Sequence, residues 1–242
     1  MADTAPAAGK RAFFELRYFR MRNGPQTERT TRYLQRGWLP AAQRAGIGPV
    51  GFFNSVFGPQ SPFILSLSSY PSLAAMETAQ EKLAADKDFQ AAFDDYNSMT
   101  ELSYIRMETS LLHAFPSIPG IEVPPARQGG GSRTFELRTY ESPNEKAGAR
   151  KVKMFDDAEI AIFRRSGMTP IFFGQTMIGT NQPSLTYMLA YDDLAARDKA
   201  WSAFGKDPEW QKLRATPGLT DPEIVSNISN AILRPLAFSP IR

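Results

Sequence analysis

Hydrophobic and polar positions change period several times along the chain, and each change marks an element. Over residues 13–19 aromatic and aliphatic side chains alternate with polar ones, which predicts a β-strand. Residues 26–45 then place Leu34, Trp38, Ala41, Ala42 and Ala45 at helical spacing, and Gly46 stands where a helix would stop. Two extended runs follow at 50–57 and 63–70, joined by GPQSP, which reads as a hairpin with a longer loop. A helical stretch over 72–96, broken near Asp86, precedes a last strand expected at 102–111. The order β, α, β, β, α, β is a ferredoxin-like unit.

The same pattern then repeats. Phe14-Glu15-Leu16-Arg17 returns as Phe135-Glu136-Leu137-Arg138, a shift of 121 positions (136 minus 15). Without a gap, that shift superposes Arg44 on Arg165, Gly46 on Gly167, Phe52 on Phe173, Gly58 on Gly179, Tyr70 on Tyr191 and Asp86 on Asp207. A constant register over so long a span means two copies of one domain. In the second copy Val152, Phe155, Ile162 and Phe163 mark the first helix, 172–178 and 184–191 the hairpin, and 223–233 the last strand. The copies are placed at 10–118 and 132–242, with 119–131 as linker; the stretch PSIPGIEVPPARQGGGS around it is Pro-rich, then Gly-rich, and suits an extended, partly flexible connection. The run Gly129 to Gly131 follows no strand and opens no helix, so it is linker rather than a phosphate loop.

A sheet with helices on one face must cover the other. The fold class is therefore α+β, with tandem ferredoxin-like domains whose sheets face each other around a shared interior; pairing between chains is the alternative. Within that frame the first strand of each copy carries its apolar residues on one face and Glu15 with Arg17, or Glu136 with Arg138 and Tyr140, on the other. If the apolar set meets the helices, these charged pairs point into the enclosed interior. There Arg17 and Arg138 could hold an anion or stabilise an enolate, and Glu15, Glu136 or Tyr140 could move a proton. The competing reading is a structural ion pair between a Glu and an Arg two residues apart. Asn54 and its counterpart Gln175, with Tyr104, Arg106, Glu108 and Asn227, are further candidates for the cavity wall, although the two amides could equally satisfy each other across the copies.

Composition narrows the chemistry. The 242 residues include no Cys and a single histidine, His113, which excludes thiolate catalysis, disulfides and multi-histidine metal cages. His113 as a lone haem ligand is conceivable, but an ordinary histidine just past a strand is the simpler reading. Lys and Arg total 28 against 25 Asp and Glu, well mixed in sign, which argues against a nucleic-acid partner. No apolar run approaches the length of a membrane span, and the N-terminal stretch has no secretory core before its charges begin, so a cytoplasmic protein is expected. Trp38, Trp201 and Trp210 fall at amphipathic spacing and are assigned to packing. No motif calls for a cofactor, and no triad pattern is present.

Phe135-Glu136-Leu137-Arg138-Thr139-Tyr140, Tyr191 with Leu194 and Arg197, Asp207-Pro208-Glu209-Trp210 and the terminal 233–240 stretch LRPLAFSP resemble, in order, the motifs of NIPSNAP domains. The first copy keeps Glu15 to Arg17 and Tyr70, but Met76 and Phe89 replace the Arg and the Trp. The resemblance implies a dimeric α+β barrel, a group that includes cofactor-free monooxygenases and isomerases, while NIPSNAP proteins themselves lack an agreed activity. Two functions follow as expectations. One is a non-catalytic protein binding a small apolar or weakly acidic molecule in the barrel lumen. The other is a cofactor-free monooxygenase or isomerase acting on an acidic aromatic or polyketide-like substrate. Pairing of whole chains into a homo-oligomer stays open in both.

Overall fold

The computed structural model describes residues 10–98, 102–127 and 131–242. Gly129 and Gly130 of the expected linker lie outside the described residues. Each copy folds as β, α, β, β, α, β. The first comprises β1 (Phe13–Arg20), α1 (Pro25–Tyr33), α2 (Leu39–Ala45), β2 (Val50–Phe57), β3 (Phe63–Tyr70), α3 (Leu73–Ala85), α4 (Lys87–Tyr96) and β4 (Arg106–Ala114). The second comprises β5 (Thr134–Glu141), α5 (Glu145–Met154), α6 (Ile160–Arg165), β6 (Thr169–Ile178), β7 (Ser184–Tyr191), α7 (Leu194–Lys206), α8 (Pro208–Arg214), α9 (Asp221–Ile224) and β8 (Asn227–Pro235). Gly46 takes a left-handed conformation at φ 80° and Gly167 at φ 90°, closing the first helix of each copy as their spacing predicts. Asp86 ends α3 and caps α4, its side chain accepting from the Phe89 amide, so the expected break falls where a capping residue stands.

Two expectations about elements need correction. The last strands begin four residues later than the apolar run suggests, at Arg106 and Asn227 rather than at 102 and 223. Antiparallel pairing with β1 and β5 sets the start, Arg20 standing opposite Arg106 and Glu141 opposite Asn227, while Leu102 and Ile105 remain exposed. The first helix is also not continuous. A π-helical turn separates α1 from α2 at Leu34–Trp38 and α5 from α6 at Phe155–Glu159, the same place in both copies.

Among the described residues, eight strands close into one antiparallel barrel in the order β1-β3-β2-β8-β5-β7-β6-β4. Equivalent strands of the two copies run in the same direction, so the pseudo-twofold axis lies along the barrel axis and equivalent residues face each other at one height. Helices cover the outside in two layers, each over its own copy's sheet, and among the described residues none is long and apolar enough to cross a membrane.

One end of the barrel is filled. Phe14, Phe53, Phe135 and Phe172 meet there with Leu112, Leu233 and Ile241. The packing is reciprocal: Phe53 stands where copy two has Gly174, and Phe172 stands where copy one has Gly51. A Cβ on Gly174 would lie 2.8 Å from Leu112 Cβ and 3.3 Å from the Phe14 ring, so the space a side chain would need there is already filled. The segments that follow the last strand of each copy fasten this end. The Leu236 amide donates to Phe52 O at 2.9 Å, and the first part of the connection is ordered along β6, the Phe115 and Glu122 amides donating to Phe173 O and Ile171 O.

Candidate functional site

The two faces of β1 and β5 are turned the opposite way from the expectation. Phe14, Leu16, Phe135 and Leu137 point into the barrel, while Glu15, Arg17, Glu136, Arg138 and Tyr140 lie on the opposite face, beneath the helices. Alternation separates the faces correctly but cannot label them, because in a closed barrel both faces of a strand are buried. The lumen takes the apolar set, since eight converging strands leave little water there to solvate a charge, whereas the helix layer brings charged and hydrogen-bonding partners.

Glu136, fully buried, shows what those partners do. Arg138, Arg197 and Asn230 donate to Oε1 at 3.0, 2.6 and 3.1 Å; Arg197 Nε, Trp201 Nε1 and the Tyr191 hydroxyl donate to Oε2 at 3.0, 2.8 and 3.3 Å. Burial pushes this carboxyl up, but the Arg197, Arg138, Trp201 and Asn230 contacts outweigh it and hold it below the ordinary range. Trp201, assigned to packing from the sequence, is thus also a hydrogen-bond donor. Arg138 lies 4.6 Å over the Trp201 ring and donates to Tyr140 Oη at 3.2 Å, and Tyr187 joins Tyr140 at 3.2 Å. Copy one keeps a smaller version, in which Glu15 accepts from Arg17 and, at 3.1 Å, from Tyr70. Asn54 and Gln175 do not meet: they stand at opposite seams of the barrel, facing Arg234 and His113. His113 stacks flat on Phe13 at 4.7 Å, and burial followed by the nearby Arg11 charge lowers its pKa. Among the described residues no group of three or more His, Cys, Asp or Glu could hold a metal ion.

Beside the Glu136 network lies a pair the sequence did not single out. Lys151 Nζ meets Glu159 Oε2 at 3.1 Å with both side chains buried, ringed by Tyr140, Phe155 and Trp210. The two residues lie eight apart. An unbroken α-helix brings residue i+7 back over i; the π turn adds one residue and moves that position to i+8.

The other end of the barrel is open and holds a cavity of about 630 Å³. Its floor is Leu16, Leu137 and Ala231. Its walls differ between the copies, as equivalent positions show: Tyr18 opposes Thr139, Phe63 opposes Ser184, and Glu108 opposes Ser229. Copy two therefore supplies hydroxyls, ordered by Thr139 against Thr186 and Ser184 against Thr176, both at 2.9 Å. Copy one supplies aromatic rings and a charged lip. Arg20 lies 4.6 Å over Tyr18 and 4.7 Å over Phe63, and donates to Glu108 at 2.8 and 3.1 Å; Arg106 donates to the other oxygen of Glu108 at 2.7 Å. Arg106 and Glu108, candidates from the sequence, do line this cavity; Tyr18 and Arg20 were missed, and the contrast between the repeats at these positions was the signal that could have found them.

Two arginines share one carboxylate at this lip, leaving a surplus of positive charge. Burial pushes Glu108 up, but its bonds and charges with Arg20 and Arg106 prevail and hold it below the ordinary range. Burial raises the Tyr18 phenol to about 12, Arg20 opposing and Glu108 adding to the shift. At neutral pH the wall thus offers an ionised carboxylate already neutralised and a phenol that donates, an arrangement suited to holding a polar head rather than to moving a proton.

Two βαββαβ copies closed into one eight-stranded barrel, with the helices outside, define a dimeric α+β barrel built within a single chain. The sequence matches NIPSNAP over residues 14–117 and 135–240, and the chain belongs to the NIPSNAP family. No curated protein matches it. A Lactobacillus acidophilus crystal structure named provisionally as a monooxygenase aligns at 12% identity over 93% of this chain and 94% of its own, with a TM-score of 0.60. A similarly named Fusobacterium nucleatum protein aligns at 7% identity over 93% of this chain and 92% of its own, TM-score 0.58. Both likenesses are of fold. An uncharacterized NIPSNAP-like domain protein from Burkholderia xenovorans is 30% identical over 45% of this chain and 89% of its own, TM-score 0.39.

Proposed function

We propose that the open end of the barrel binds a small, weakly acidic amphipathic molecule, with its apolar part down in the lumen and its anionic head at the Arg20 and Arg106 lip. The observation that carries this reading is the cavity of about 630 Å³, which combines an apolar floor, a hydroxyl-bearing wall and a cationic rim. The Glu136 network, whose acceptor sites are taken by its own neighbours, is read as structural, in keeping with the ion-pair alternative for Glu136 and Arg138. We take the setting to be the cytoplasm, which cell fractionation would test.

Binding of anilinonaphthalene sulfonate, followed by fluorescence and displaced by octanoate, tests the pocket. Ser184→Phe, which gives copy two the residue copy one carries at that height, fills the cavity and abolishes the signal. Arg20→Met weakens octanoate far more than octanol. If Ser184→Phe keeps its melting temperature and still binds the probe as the parent chain does, the lumen is not the site.

A further inference from the structure

Among the described residues, the rim of the open end carries six exposed apolar side chains in three equivalent pairs: Val56 and Met177, Phe57 and Ile178, Met107 and Ile228, each between 42% and 65% exposed. Identity changed between the copies at all three positions and apolar character did not. These residues sit where the barrel is least well closed. The ladder of β4 with β6 covers only Leu111–Ala114, and that of β8 with β2 only Ile232–Pro235. Among the described residues Arg106–Ser110 and Asn227–Ala231 therefore pair on one side alone, with β1 and β5. An apolar rim beside half-open strand edges is a surface that gains from being covered.

Charge selects the occupant. The copy-one lip has the positive surplus of Arg20 and Arg106 over Glu108, while at the position equivalent to Arg20 copy two has Glu141, hydrogen-bonded to Asn227 at 2.8 Å. The rim is thus basic on one side and acidic on the other. A lipid surface rich in anionic headgroups would meet the acidic half unfavourably. A second copy of this chain, turned over about an axis across the barrel, lays its acidic half on the first one's basic half and the converse, in one self-complementary contact. The geometry points to a homodimer joined mouth to mouth through this rim, with the two cavities facing each other.

Sedimentation velocity of the full chain over a range of concentrations tests it. The expected result is a reversible monomer–dimer equilibrium that weakens as salt is added. Phe57→Asp with Ile178→Asp raises the dimer dissociation constant by about tenfold or more, with far-ultraviolet circular dichroism and melting temperature unchanged. Glu141→Arg weakens association, and adding Arg106→Glu to it restores association by exchanging the two signs. In the otherwise cysteine-free chain, a spin label at Met107→Cys gives an interchain distance only when the rims meet. A chain that is monomeric at every concentration, a dimer indifferent to these substitutions, or a rim-dependent cosedimentation with phosphatidylglycerol vesicles in place of self-association overturns the proposal.

Discussion

Replacing Lys151 with Met removes the cation from a buried pair while keeping the stem that packs among Tyr140, Phe155 and Trp210. At 3.1 Å the pair attracts by roughly 5 kcal/mol at an effective dielectric near 20, so Glu159 cannot stay ionised without cost once Lys151 is gone. It can escape by taking up a proton, and that escape caps the loss. Protonating a carboxyl with an ordinary pKa of about 4.3 at a pH of about 7 costs roughly 3.7 kcal/mol, at about 1.4 kcal/mol for each pH unit. The variant should therefore be destabilised by at most about 3–4 kcal/mol near neutrality, the low side of what other buried pairs lose when broken on one side, because burial already raises Glu159 in the parent chain.

The sign of the pH dependence follows from Glu159. Burial already raises its folded pKa against the pull of Lys151, and losing Lys151 raises it further. An acid with a raised folded pKa gives its stabilisation below the unfolded value and loses it as pH climbs through the folded value. The deficit of Lys151→Met relative to the parent chain should thus be small near pH 4 and grow toward neutrality, and Lys151→Met with Glu159→Gln should remove that slope. Urea unfolding at several pH values measures it. A deficit that stays flat, or that grows on acidification, would refute the argument.

Glu136→Gln leaves arginine and indole donors without their charged acceptor and should cost about 2–3 kcal/mol by urea unfolding. Because the parent carboxyl is held below its ordinary range, its contribution is present above the unfolded pKa and lost as pH falls through the folded one, so this deficit should shrink in acid. Gly174→Ala puts a methyl against Leu112 Cβ and should destabilise by about 1–3 kcal/mol without changing the helical signal. Asn144→Ala removes the acceptor of the Ala147 amide at the start of α5 and should cost about 1 kcal/mol in the same assay.

The duplication, the order of elements and the helix stops at Gly46 and Gly167 were legible in the chain because local periodicity and special backbone conformations are properties of short segments. The start of β4 and β8 was not, since pairing with β1 and β5 overrode the apolar character of residues 102–105. Which face of β1 and β5 is the lumen was equally hidden: alternation says that Glu136 and Leu137 part company, and only barrel closure decides which one meets water, a helix or the other copy.

The amino-acid order alone thus determined a twofold repeat of one α+β unit and the family to which it belongs, because repetition and hydrophobic period need no partner to be read. Tertiary structure alone decided that the cavity opens at the Tyr18 and Arg20 end, that Lys151 finds Glu159 across a π turn, and that Glu136 is enclosed by six donors. Those relations join residues far apart or out of helical phase, and they come into being only when eight strands close and the helices settle on them.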